Sequence, residues 1–70
     1  MALGNSRDPQ AVPPLIKALH DDEQLIRGHA AWALGRIGGE EARGALEEAL
    51  VIEEDGETRN EIRCALNEFL

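Results

Sequence analysis

The sequence is poor in the residue types that most often carry chemistry. Its 70 residues include one cysteine (Cys64), one tryptophan (Trp32), one phenylalanine (Phe69) and no tyrosine. A lone cysteine excludes an internal disulfide, a cysteine-based zinc site and a self-contained iron–sulfur centre, and it fits a reducing compartment. His20 and His29 have no third ligand at metal-binding spacing, so no metal is expected. No apolar run approaches the roughly 20 residues of a membrane span, and the first residues lack a basic region followed by an apolar stretch. The chain is therefore expected to be soluble and cytoplasmic. No segment alternates apolar and polar residues with β-branched or aromatic enrichment, which argues against strands. No nucleophile, base and orienting group recur in a catalytic pattern, so the chain by itself is not expected to be an enzyme.

What is present is charge and helical periodicity within a length that allows one small domain. Fourteen acidic residues against seven basic ones give a net charge of −7. The imbalance belongs to residues 40–57, where Glu40, Glu41, Glu47, Glu48, Glu53, Glu54, Asp55 and Glu57 face only Arg43. The remaining residues balance, so an anionic partner elsewhere on the molecule is not excluded. The paired glutamates read as a solvated outer face and its following turn, without the apolar cleft that acid–base chemistry would need.

The sequence also repeats itself. A shift of 31 places Ala2-Leu3-Gly4 on Ala33-Leu34-Gly35, and Ala11, Leu15, Ala18 and Leu19 on Ala42, Leu46, Ala49 and Leu50. A shift of 32 places Arg27, Ala33 and Leu34 on Arg59, Ala65 and Leu66. Each unit predicts two helices. The first runs over about 9–19, with Asp8 as its cap, Pro9 as its first residue and Leu15, Ile16 and Leu19 inward. Pro13 and Pro14 could move its start toward Pro13. The second follows a turn in which Asp22 or Glu23 is the cap, places Ile26, Ala30, Ala33, Leu34 and Ile37 inward, and stops at Gly38-Gly39. The third spans about 40–52 with Ala42, Ala45, Leu46, Ala49 and Leu50 inward, and the fourth carries Ile62, Ala65, Leu66 and Phe69 inward. The fold expected is all-α: a short right-handed α-solenoid of two hairpins, repeat one over about 9–37 and repeat two over about 40–69. Residues 1–4 align with the end of a second-type helix. The chain is therefore expected to be a fragment cut inside a repeat, with a homodimer as one consequence of the uncovered face.

The recurring Ala-Leu-Gly, the acidic turn followed by an apolar residue and arginine, and Asp8-Pro9-Gln10-Ala11-Val12-Pro13 resemble HEAT repeats of the short, phycobilisome-lyase type. The period is shorter than the roughly 40 residues of longer HEAT units. The stretch Arg27-Gly28-His29-Ala30-Ala31-Trp32-Ala33-Leu34-Gly35, preceded by Ala2-Leu3-Gly4-Asn5, resembles the C-terminal HEAT-like region of epoxyqueuosine reductases, oxidoreductases of tRNA modification. That resemblance implies a parent protein whose iron–sulfur clusters and cobalamin sit in an upstream domain. It implies for this chain a non-catalytic segment that helps hold tRNA. The alternative is a generic HEAT-repeat module for protein–protein interaction, with an upstream domain or a partner helix as its ligand.

The candidate RNA- or partner-binding residues are Arg27, His29, Trp32, Arg36, Arg59 and Arg63, all on the second helices. Arg27 and Arg59 hold equivalent positions after the acidic turns, suited to a structural ladder or to phosphate contact. Trp32 shares a helical stripe with Leu25, Gly28, His29 and Arg36, where it can stack on a base, anchor a peptide or fill a seam between repeats. Gly28 inside a helix points to a close neighbour. Cys64 reads as a small buried hydrophobe.

Overall fold

The structure, a computed structural model, describes residues 9–69. The expected Asp8 cap and the remnant at residues 1–4 lie outside them. A 3₁₀ turn, Pro9–Ala11, leads into α1 (Val12–Ala18), followed by α2 (Gln24–Ile37), α3 (Glu40–Ile52) and α4 (Gly56–Asn67). No strand occurs among the described residues. Helices α1 and α3 form one layer and α2 and α4 the other, with α2 and α4 in the most extensive contact. This is the all-α, solenoid-like arrangement that the repeat predicts.

Local chemistry accounts for the boundaries. Pro13 and Pro14 follow Val12 within the first turn of α1, where backbone N–H groups have no intrahelical partner and proline removes nothing. The α helix therefore begins at Val12, with only the 3₁₀ turn occupying residues 9–11. Gly38 and Gly39 take φ of 77° and 95°, a region that other residues avoid, and they end α2 while setting the start of α3. The expected carboxylate cap on α2 is not formed: Glu23 stands at the cap position but its side chain accepts no hydrogen bond there. Instead the Glu23 N–H donates to Asp21 Oδ1 at 2.8 Å, so the acid two residues earlier shapes the turn. The N-terminus of α4 is capped, by Asp55.

The core consists of Val12, Leu19, Ala30, Ala31, Leu34, Ala42, Leu46, Ala49, Ile62 and Ala65. Half of these are alanines, which bury little area each but let helix backbones approach closely. Leu15, Ile16, Ala18, Ile37, Ala45, Leu50, Leu66 and Phe69 pack at its margin, half-buried. Two residues expected inside are not. Ile26 is exposed, because the buried arc of α2 is centred on Ala31, Leu34 and Gly35, the face turned to α4, and no described residue covers the Ile26 side of its first turn. Cys64 is exposed because Thr58, Ile62 and Ala65 form the buried face of α4, and residue 64 lies about 100° around the helix from Ala65. Gly35 has a packing role that periodicity did not show: a Cβ there would lie 2.9 Å from Ala65 Cβ and 3.0 Å from Ala65 Cα.

This packing gives two opposite expectations for glycine substitutions. Gly35→Ala forces α2 away from α4 and should destabilise by about 1–3 kcal/mol, the usual cost of overpacking. Gly44→Ala, in α3 with nothing within 4 Å of the added Cβ, should stabilise by about 0.5–1 kcal/mol through helix propensity. Chemical denaturation followed by circular dichroism measures both; equal effects of the two changes would contradict the close approach at Gly35.

Candidate functional site

Two arginine-centred clusters organise the turns. Arg27, one turn into α2, donates from Nε to Glu53 Oε1 at 2.8 Å and from Nη2 to Glu53 Oε2 at 3.0 Å, a bidentate pair. Its Nη1 donates to the carbonyls of Asp21 at 2.8 Å and Asp22 at 3.1 Å. Arg59, at the equivalent position of α4, donates from Nη1 to the carbonyls of Leu50 at 2.8 Å and Glu53 at 3.1 Å. Both guanidiniums thus lie over the preceding turn and hold it. The hydrogen bond to Glu53 raises the Arg27 pKa further, so the guanidinium stays charged.

Glu53 is the acid that the sequence reading misplaced. Read as half of a solvated glutamate pair, it is buried, with its side chain 6% exposed. The reason is Arg27: a carboxylate enters a low-dielectric site only when paired and hydrogen-bonded, and Glu53 meets the guanidinium fork and also accepts from the Asp55 N–H at 3.1 Å. Glu54, the other half of the pair, is exposed. Asp55 then accepts from the Thr58 N–H at 2.9 Å and the Thr58 hydroxyl at 3.0 Å. These bonds, the backbone one first, hold its carboxyl below the ordinary aspartate range.

The other candidates divide. His29, Trp32 and Arg36 come together on one wall of a groove of about 780 Å³ between α2 and α4. Glu61, Cys64 and Glu68 line the α4 wall, and Leu15, Ala18, Ile26, Ala30, Ala33 and Ala65 supply apolar surface. Trp32 is 65% exposed, and the Arg36 guanidinium lies 5.3 Å from its ring centroid, a cation–π pair. Arg27 faces a smaller depression at the turns, with Asp21, Asp22, Glu53 and Glu54. Arg63 is exposed on α4 but does not line the groove. The close neighbour that Gly28 implied is Glu61, whose carboxylate occupies the space a Cβ at residue 28 would take. Glu61 was not among the sequence candidates; its spacing of 32 residues from His29 was the available sign. No group of three or more His, Cys, Asp or Glu side chains among the described residues could hold a metal ion. One cysteine does not fit an iron–sulfur cluster.

Paired helices in two layers, repeated with a shift of about 31 residues and linked by arginines at equivalent positions, define an α-solenoid repeat protein. Residues 1–67 match the HEAT repeats model, and the chain belongs to the HEAT-repeat family. It is similar to the protein named "Uncharacterized protein in gldA 3'region" of Geobacillus stearothermophilus, 49% identical over 63 residues, 89% of this chain and 29% of that protein. It is also similar to the epoxyqueuosine reductase of Bacillus cereus, 40% identical over 67 residues, 94% of this chain and 18% of the enzyme. The epoxyqueuosine reductase of Bacillus subtilis is 43% identical over 63 residues, 89% of this chain and 16% of the enzyme. The matching part of these reductases is a C-terminal segment. The chain thus spans less than a third of the length of the curated relatives it matches. No solved structure matches it.

The Asp55 cap gives a pH dependence with a definite sign. Its carboxyl titrates lower in the folded chain than in the unfolded one, so the cap stabilises above the unfolded value near pH ~3.9 and loses that effect as pH falls through the folded value. Thermal melts from neutral pH to pH ~2 should show a smaller acid-induced drop for Asp55→Asn, which caps without titrating, than for the parent chain. Identical drops would contradict the cap.

Proposed function

We propose that the chain is a non-catalytic binding module, the HEAT-repeat segment of a protein of epoxyqueuosine reductase type, and that it acts as a scaffold by docking protein surface in the α2–α4 groove. The observation that carries this reading is the uncovered apolar face of α2. Leu25, Ile26 and Trp32 are 71%, 42% and 65% exposed, and Ile26 and Trp32 continue into the alanine-lined floor of the groove. Contiguous apolar surface with an aromatic centre is the kind that protein interfaces cover. The identity to two epoxyqueuosine reductases supports the class of the parent protein, an oxidoreductase; on this reading its iron–sulfur clusters and cobalamin would be held outside these residues. Within the groove no hydrogen bond joins Cys64 to His29, so no nucleophile and base are paired there.

The tRNA-holding role implied by the resemblance is the second reading. One observation favours it: the exposed Trp32 ring with Arg36 beside it offers a stacking platform and a cation. Against it stand Glu61 and Glu68 on the facing wall, which repel phosphate.

A chimera separates the two readings, with this chain replacing the matching segment of the Bacillus subtilis enzyme. The triple variant Leu25→Ser, Ile26→Ser, Trp32→Ala should keep kcat within about threefold and KM for tRNA unchanged, while the module becomes open to limited proteolysis. A KM raised about tenfold, with protease resistance retained, supports the tRNA reading instead. Collapse of kcat in a chimera that still folds contradicts the non-catalytic assignment.

A further inference from the structure

We infer that the α2–α4 groove docks a basic amphipathic helix of a partner protein, seating one of its cationic side chains on the Glu61 carboxylate and one of its apolar side chains on the Trp32 ring. This rests on reading the groove as a protein-contact surface, and it names the chemistry of the partner.

The two walls are built from matched rows. Leu25, His29, Trp32 and Arg36 recur along α2 at spacings of four, three and four, and Glu57, Glu61, Cys64 and Glu68 repeat that pattern 32 residues later along α4. Such spacing places each row on a single helix face. Three members of each row, His29, Trp32 and Arg36 against Glu61, Cys64 and Glu68, line the groove. The repeat has therefore kept the geometry and changed the charge: the α2 wall is aromatic and ends in a cation, whereas the α4 wall is acidic.

Glu61 sets the anchor. Because Gly28 has no side chain, the Glu61 carboxylate crosses from α4 and rests against α2, one helical turn before Trp32. Glu61 is exposed, and no donor or cation among the described residues pairs with its carboxylate. Acceptor, ring and the Arg36 cation then follow one another along a single face of α2 at about 5–6 Å steps. The α2 row covers about 16 Å at 1.5 Å per residue, which three turns of a partner helix match with anchors at i, i+4 and i+7.

Charge decides between occupants. Glu61 and Glu68 place two carboxylates on the α4 wall of the groove, against the single guanidinium of Arg36 on the α2 wall. A phosphate backbone is repelled by that wall, and so is the acidic stretch 40–57 of a second copy. A helix bearing arginine or lysine is attracted and steered to it.

Trp32 is the only tryptophan, so its emission reports the groove directly. The probes are a tryptophan-free amphipathic peptide of about 14 leucine and arginine residues, the same peptide with glutamate for arginine, and an anticodon stem-loop RNA. The arginine peptide should move Trp32 emission to shorter wavelength, with affinity falling about tenfold between ~50 and ~200 mM salt. Its affinity should fall about fivefold or more in Glu61→Gln, and equally in Gly28→Ala, which keeps every charge and adds a Cβ where the carboxylate rests. Circular dichroism confirms that both variants remain helical. The inference is overturned if the arginine peptide does not bind, if the glutamate peptide or the RNA binds as tightly, or if neither variant weakens binding. It is also overturned if sedimentation shows self-association that buries Trp32 without peptide. Any of these results, together with the protease-sensitive chimera, leaves the scaffold reading standing and removes only the partner's chemistry.

Discussion

The carboxylate of Glu53 lies where the two hairpins meet, and most of the described architecture is connected to it. Arg27 grips it with two nitrogens and uses a third to hold the carbonyls of the α1–α2 turn, so one side chain ties that turn to the turn between α3 and α4. The same carboxylate accepts the Asp55 N–H, and Asp55 in turn caps α4. A chain of hydrogen bonds therefore runs from the first turn through Arg27, Glu53 and Asp55 to the start of the last helix. Its contribution is geometric more than energetic, since the attraction within a buried ion pair is largely offset by desolvation. What it fixes is the register in which α4 lies beside α2.

That register matters because the core is thin in side-chain volume. With half of its members alanine, the interface between α2 and α4 depends on close backbone approach, seen where Gly35 meets Ala65. Large apolar side chains on α2 are then left over. Leu25 and Trp32 face outward, Ile26 is uncovered, and the groove opens between the two helices. The surface available for binding is thus a result of how the repeat packs: small residues bring the helices together, and the large ones remain for a partner.

The sequence made the helices legible because their signals were local. Gly38-Gly39 marked a stop and a start in one place, and the apolar spacing of α3 predicted a helix over 40–52, where it occurs. Arg27 and Arg59 were legible as equivalent positions from the repeat itself. Residues whose environment depends on a distant segment were not legible. Glu53 looks like any member of a glutamate pair until Arg27 arrives from the other hairpin. Ile26 fits one apolar stripe and Cys64 lies beside another, but the centre of each stripe is fixed by which helix packs against it. Gly28 signalled a close neighbour, yet nothing in its own segment could name Glu61. Of the six candidate site residues, only His29, Trp32 and Arg36 share the groove, since Arg27 and Arg59 are engaged with turns and Arg63 lies outside it.

A double-mutant cycle between Arg27 and Glu53 tests the dependence on this junction most directly. Arg27→Met leaves the buried Glu53 carboxylate without its guanidinium, Glu53→Met leaves the half-buried Arg27 with only its carbonyl partners, and each should lower the melting temperature and loosen amide protection in both α2 and α4. The double variant removes the orphaned charge and should melt above at least one of the single variants. Losses that simply add, or loosening confined to the helix that carries the substitution, would contradict the account.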